Sequence, residues 1–260
     1  MIDLADDTAA CVRFFSRMPV PRLTSSDDPQ AIPDFRKIAR AIPFAGLIVA
    51  LPAAAAGLLL GLTNLPSLAI GFIVTGLLAT VTGALHEDGL GDVADGFFGG
   101  HTPERRLEIM KDSRIGAFGA LAMMITIGLK AALIAALLDR FGPLGSMTIL
   151  LGVESFSRAL IVWQWVKLPP ARPEGLGSRF GTPDRAALLQ AFAAGALSLL
   201  VALISLPLSS LALALLLAVF AASGTGLLAR AKIGGFTGDV LGAIQQVSAL
   251  AFLVGTLAIS

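Results

Sequence analysis

The stretch 83-GALHEDGLGDVADGFFGG-100 places four carboxylates, Glu87, Asp88, Asp92 and Asp95, within nine positions, beside His86 and six glycines. About twenty uncharged, mostly apolar residues precede it directly. If 86–96 is helical, Asp88, Asp92 and Asp95 stand at i, i+4 and i+7, on one narrow stripe. Like charges at that spacing destabilise a helix unless something positive lies between them. A hard divalent cation meets that need, and Mg²⁺ favours oxygen ligands in sites that also hold substrate phosphates. The plainer alternative is a solvated acidic loop made flexible by glycine.

A second polar segment, 104-ERRLEIMKDSRIGAFG-119, follows. It is expected to set Glu108 and Asp112 one turn apart, with Lys111 and Arg114 on a neighbouring face. Carboxylates for a metal, with Lys and Arg for oxyanions, equip a site for phosphoryl transfer, which depends chiefly on positioning and charge neutralisation. The alternative is a pair of surface salt bridges on a helix beside the membrane. A third island, 234-GGFTGDVLGA-243, puts Asp239 at a helix start, where the dipole favours a carboxylate even without function. Gln245 and Gln246 continue the polarity, so Thr237, Gly238 and Asp239 are expected to complete a polar pocket.

Composition dictates what must position these residues. Of 260 residues, 55% are hydrophobic and 14% charged, against about a quarter charged in soluble domains. Several apolar runs approach the roughly 20 residues that a spanning helix needs. The expected fold is all-α: a polytopic transmembrane helical bundle in one integral-membrane domain, 1–260, with short helical loops. Seven spans are expected, near 42–62, 66–85, 115–138, 143–163, 186–205, 207–229 and 239–259. Residues 1–40 form an N-terminal segment in which 3–16 is expected to lie on the membrane surface, with Phe14 and Phe15 as anchors. That segment is charged and lacks a compact apolar core, so no signal peptide is expected. Net charge is +1, which gives no argument for nucleic acid. The single Cys11 excludes an intrachain disulfide.

Basic residues set the orientation. This topology places 16 of the 19 Lys and Arg on one side, including Lys167, Arg172, Arg179 and Arg185 after the fourth span. By the positive-inside rule that side is the cytoplasm. Within the spans, Glu154 and Arg158 are i,i+4 and either neutralise each other or face a cavity. Lys130 is expected to snorkel or to face the bundle interior. His86 admits three roles, as ligand, base or N-terminal interface residue, of which the last is the expected one.

The segments 14-FFSRMPVP-21, 83-GALHEDGLGDVADGFFGG-100, 110-MKDSRIGAFGA-120 and 234-GGFTGDVLGA-243 together resemble the cobalamin synthase family, adenosylcobinamide-GDP ribazoletransferase. They occur in the family's order along nearly its whole length. The resemblance implies a multi-pass, Mg²⁺-dependent enzyme of the cytoplasmic (inner) membrane, with its active site facing the cytoplasm. It implies that α-ribazole, or its 5′-phosphate, is joined to adenosylcobinamide-GDP with release of GMP. Partners would be these substrates, the bilayer, and either a second copy of the chain or other enzymes of cobalamin biosynthesis.

Carried over by position, the metal would be held by Asp88, Asp92 and Asp95. Lys111, Asp112, Arg114 and His86 would serve the chemistry, and Arg17, Ser113, Arg158, Thr237 and Asp239 would contact substrate. Glu87 stands where the family commonly has an apolar residue, and Ala249 where it has an acid. The nearest alternative is a membrane phosphotransferase of the CDP-alcohol phosphatidyltransferase type, but its downstream G-x₃-D-x₃-D is missing. A cation transporter would repeat charges near the midplane of several spans, whereas only Lys130, Glu154 and Arg158 lie within them.

Overall fold

The computed structural model describes residues 2–172, 174 and 180–259. Arg179, counted above among the basic residues, and Ser260, at the end of the expected domain, lie outside the described residues. Apart from an isolated bridge between Pro170 and Phe236, the regular structure is helical. In chain order the helices are α1 (Ile2–Phe15), α2 (Phe35–Ile38), α3 (Ile42–Leu60), α4 (Ser67–Thr82), α5 (Leu85–Gly99), α6 (Pro103–Ile109), α7 (Ala117–Lys167), α8 (Arg185–Ala202), α9 (Leu208–Ile233) and α10 (Gly238–Ala258).

Among the described residues, five helical stretches are long and apolar enough to cross a membrane, and α4 with α5 passes the same test as a bent pair. The longest of the five, α7, is itself two crossings. Gly142 breaks its helical path with φ 67° and ψ 176°, immediately before Pro143. Lys130 and Glu154 lie on opposite sides of that break, and in one straight helix they would be about 36 Å apart. Their Nζ and Oε1 atoms stand 3.9 Å apart. The two halves therefore run antiparallel, as a hairpin with its tip at Gly142, and the expected seven crossings hold.

Enclosure ranks the crossings. The apolar stretch of α10 is 78% buried, against 28% for that of α9. Thus α10 is the central post, and α9 presents Leu216, Phe220 and Leu227 outward, where a bilayer would meet them. Between these two helices Gly255 packs against the backbone of Ala214, the close approach that small residues permit in membrane bundles.

Three details differ from the sequence-based expectation. The second crossing stops at Thr82, because Gly83 and Ala84 both adopt left-handed backbone (φ 63° and 57°) and return their N–H groups to Thr80 and Ala79. That turn bends the chain by 90° into α5. Next, α9 continues to Ile233, so Arg230 and Lys232 belong to its last turn rather than to a loop. Finally, α1 is the expected short helix, but Phe14 and Phe15 are not lipid anchors. Phe15 is buried with Cys11 and Val12, and Phe14 stacks edge-on against Phe15 and Phe35 at 4.9 Å. The apolar face of α1 finds protein to pack on, which satisfies it as well as lipid would.

Candidate active site

The 90° bend lays α5 across the starts of α7 and α10, at the bundle end that also collects the N-terminal segment, α6 and the loop before α10. Glycine makes the contact close: a Cβ at Gly89 would come within 2.9 Å of the Asp239 carbonyl oxygen, and one at Gly119 equally near that of Gly91. Arg17 leans on Gly83 at the bend, and its backbone N–H donates to the Val81 carbonyl at 2.8 Å. Its guanidinium is thereby kept at the corner where α5 begins.

Asp88, Asp92 and Asp95 do lie on one helix, and Asp239 joins them from the first turn of α10. Asp88 is exposed, while the other three are half-buried. Burial, reinforced by the charges of Asp239, Asp88 and Asp95, raises the Asp92 carboxyl to about 7. Every charged neighbour that perturbs it is another acid, so this corner favours a cation. Thr237 caps α10 by accepting the Val240 N–H at 3.3 Å, and its hydroxyl donates to Asp239 Oδ2 at 3.1 Å. Asp95 has a second engagement: its two oxygens accept the N–H groups of Gly116 (2.7 Å) and Gly119 (2.8 Å), at the positive end of α7.

Among the described residues no three acidic, histidine or cysteine side chains converge into a closed metal cage. The donors are nonetheless all hard carboxylate oxygens. Mg²⁺ typically uses one or two carboxylates and completes its shell with water and substrate phosphate. One or two carboxylates of the set formed by Asp88, Asp92 and Asp239 suit that kind of site, with Asp95 beside it.

The second motif is arranged differently from expectation. Helix α6 ends at Ile109, so Glu108 and Asp112 do not sit one turn apart on a helix. Asp112 instead accepts the Arg114 backbone N–H at 3.1 Å, a local turn that competes with helix. The same carboxylate grips the Arg114 guanidinium at 3.0 and 2.6 Å, which holds Asp112 down at about 2. Arg105 pairs with Glu108 at 2.9 Å. These side chains and Asp95 line an open cleft of about 500 Å³. The second motif and the last member of the acidic stripe thus share one surface. Lys111 and Ser113 are exposed on the same loop.

Behind α5 lies a buried polar network. Arg158 donates to Glu154 Oε2 at 2.6 Å, Gln245 donates to the same oxygen at 3.1 Å, and Lys130 bonds Gln246 at 2.9 Å. Gln246 in turn donates to Glu87 at 2.9 Å. Lys130 therefore faces the interior, and Arg158, 1% exposed, lies inside the bundle rather than on an open site. Ala249 is fully buried in the apolar core. His86 is buried too and stacks on Phe15 of the N-terminal helix at 6.0 Å. Burial, with Arg158 and Lys130 nearby, keeps its imidazole well below the usual range and hence neutral. Trp165, where an interfacial aromatic is expected at the end of the fourth span, is instead buried at 1% exposed, and the buried bond of Glu87 is not read from the sequence. For Glu87 a signal existed, since it lies one residue, about 100° of helix, off the acidic stripe.

Fold and site define a class: a polytopic helical membrane protein with a carboxylate cluster and a flanking basic loop at one end of its bundle, suited to phosphate esters. Residues 7–257 match the family described as cobalamin-5-phosphate synthase, and the chain belongs to that family. It is 44% identical to a Sinorhizobium protein named adenosylcobinamide-GDP ribazoletransferase, over 99% of this chain and 98% of that one. Proteins of the same name from Brucella anthropi (44% identical, 97% of this chain and 96% of the relative) and Rhizobium meliloti (43%, 99% and 98%) are similarly close. No solved structure matches.

Proposed function

We propose that this chain is a membrane transferase that joins α-ribazole, or its 5′-phosphate, to adenosylcobinamide-GDP, releasing GMP and forming adenosylcobalamin or its phosphate. Family membership supports the reaction, and the observation that carries the site is the meeting of Asp88 and Asp92 with Asp239 across α5 and α10.

Asp88 and Asp92 would hold Mg²⁺, with Asp95 and Asp239 supporting the corner. Bound there, the ion would neutralise charge on the diphosphate of the activated corrinoid. The ribazole 5′-hydroxyl attacks the phosphorus that bears cobinamide; a new P–O bond forms, the diphosphate bridge breaks, and GMP leaves with the bridging oxygen. The hydroxyl proton passes to a carboxylate. Asp239 would take it, a reading supported by its orientation by Thr237 and its position on the border of the cavity lined by His86 and Phe15. Arg114 and Arg105, in the cleft beside Asp95, stabilise the departing nucleotide, with Lys111 and Ser113 on the same loop. Arg17 steadies the corner at Gly83, and Arg158 acts from inside through Glu154. The basic end of the bundle faces the cytoplasm of the inner membrane by the positive-inside rule.

The test is release of GMP from adenosylcobinamide-GDP by purified, detergent-solubilised protein. Release should require both α-ribazole and Mg²⁺ and should match corrinoid product one for one. GMP release that ignores α-ribazole would make the protein a hydrolase instead.

A further inference from the structure

Next to Asp88 and Asp239 the structure holds a second feature that the phosphate chemistry does not use. Phe14 and Phe15 of α1, His86 of α5, Ile161 and Trp165 of α7, and Leu241 of α10 enclose a cavity of about 130 Å³, with the two acids on its border. His86 is 3% and Trp165 1% exposed. Both carry a ring nitrogen, Nε2 and Nε1, that is buried without a hydrogen-bond partner among the described residues. Buried polar atoms are nearly always paired, and each exception calls for an explanation.

Resting on the transferase reading above, we infer that this cavity receives the flat benzimidazole base of the acceptor nucleoside, with Trp165 and His86 as its polar contacts. Size argues first. An apolar cavity of about 150 Å³ accepts a benzene-sized ring, so about 130 Å³ admits one ring of a small planar aromatic, the rest standing toward the acidic border, and excludes a corrin macrocycle. Polarity argues second. A guanine edge presents several donors and acceptors, most of which would go unpaired against phenylalanine and leucine at substantial cost. The benzimidazole of a ribazole has one free ring nitrogen and an otherwise apolar outline. The Trp165 N–H donates to that nitrogen, and His86 Nε2 bonds a ribose hydroxyl. The base is thereby stacked among Phe14, Phe15 and His86, and its 5′-hydroxyl is directed to the cavity border where Asp88 and Asp239 stand. The helix α1 gains a role: it supplies one aromatic wall of the acceptor site.

Trp163→Phe leaves Trp165 as the sole tryptophan of the full chain. Titrating that solubilised variant with α-ribazole should change its emission saturably, whereas GMP should not. Independently, Trp165→Phe should raise KM for α-ribazole about tenfold, the loss of one buried hydrogen bond, with KM for adenosylcobinamide-GDP and kcat nearly unchanged. Emission that responds to GMP but not to α-ribazole assigns the cavity to guanine and overturns the inference. An unchanged ribazole KM in Trp165→Phe overturns it too, and if that variant does not fold, the titration decides alone. Saturable ribazole binding without GMP release in the turnover assay would retain the cavity and remove the transferase; GMP release with neither tryptophan readout moving would do the reverse.

Discussion

Gln246 donates its side-chain N–H to Glu87 at 2.9 Å, and the oxygen of the same amide accepts from Lys130. One glutamine thus fastens the acid-bearing helix α5 to α7 and α10. Glu87, Gln246 and Lys130 are all buried. Gln246→Leu keeps the volume but removes the hydrogen bond to Glu87 and leaves Lys130 with Glu154 alone, at 3.9 Å, and a buried polar group left unsatisfied costs about 1–3 kcal/mol. The expected outcome is a clearly lowered unfolding temperature in detergent and reduced turnover. Glu87→Leu/Gln246→Leu should recover about half of the lost stability, since the pair is coupled. Wild-type melting in Gln246→Leu would show that the clamp carries nothing.

Asp95 and Asp92, three residues apart, should separate in their effects on stability. Asp95→Ala frees two N–H groups at the start of α7 and should cost about 1–2 kcal/mol, as helix-cap deletions do. Asp92→Asn relieves repulsion from Asp88, Asp95 and Asp239, so melts in metal-free buffer should show equal or greater stability. Equal destabilisation by both would remove the distinction between a capping acid and a cation-seeking one.

That distinction shows where the sequence stops being legible. The spacing of Asp88, Asp92 and Asp95 identified a shared helical face, and apolar runs identified seven crossings, because both are periodic properties of local sequence. Nothing local says that Asp95 will meet Gly116 and Gly119, 21 and 24 residues away. The inward turn of Phe14 and Phe15 was equally hidden, since an amphipathic helix looks the same whether its apolar face meets lipid or protein. The helix expected through Asp112 failed because a short Asx turn to Arg114 outcompeted it. Glu154 and Arg158 were paired correctly, being one turn apart, but their link through Gln245 is a tertiary contact.

Proton and metal should compete at Asp92. With its carboxyl near 7 in the metal-free site, Mg²⁺ must displace a proton below that pH and need not above it. Apparent Mg²⁺ affinity, taken from turnover at a series of Mg²⁺ concentrations, should fall by up to about tenfold per pH unit below 7 and level off above it. An affinity that is flat between about pH 5.5 and 8 would exclude Asp92 as a ligand.

Arg114→Lys keeps a charge in the cleft but loses the planar fork that contacts two phosphate oxygens at once. If Arg114 leaves Asp112 to hold the departing nucleotide, kcat should fall at least about tenfold, roughly 1.4 kcal/mol of barrier. Arg158→Lys, which needs only to neutralise Glu154, should retain most activity. Normal turnover in Arg114→Lys would return its loop to a surface salt bridge.

The claim that the α5 acids and Asp239 form one phosphoryl-transfer site is tested most directly by the rate of GMP release in Asp88→Asn, Asp92→Asn and Asp239→Asn. Each is assayed at saturating Mg²⁺, α-ribazole and adenosylcobinamide-GDP. Each amide keeps the shape of the side chain and removes its charge, so the folded protein should persist while kcat falls at least about 10²- to 10³-fold, the scale of losing one electrostatic contact in a preorganised site. Release within about tenfold of wild type in any two of the three, no more than a single lost hydrogen bond explains, would contradict the shared site.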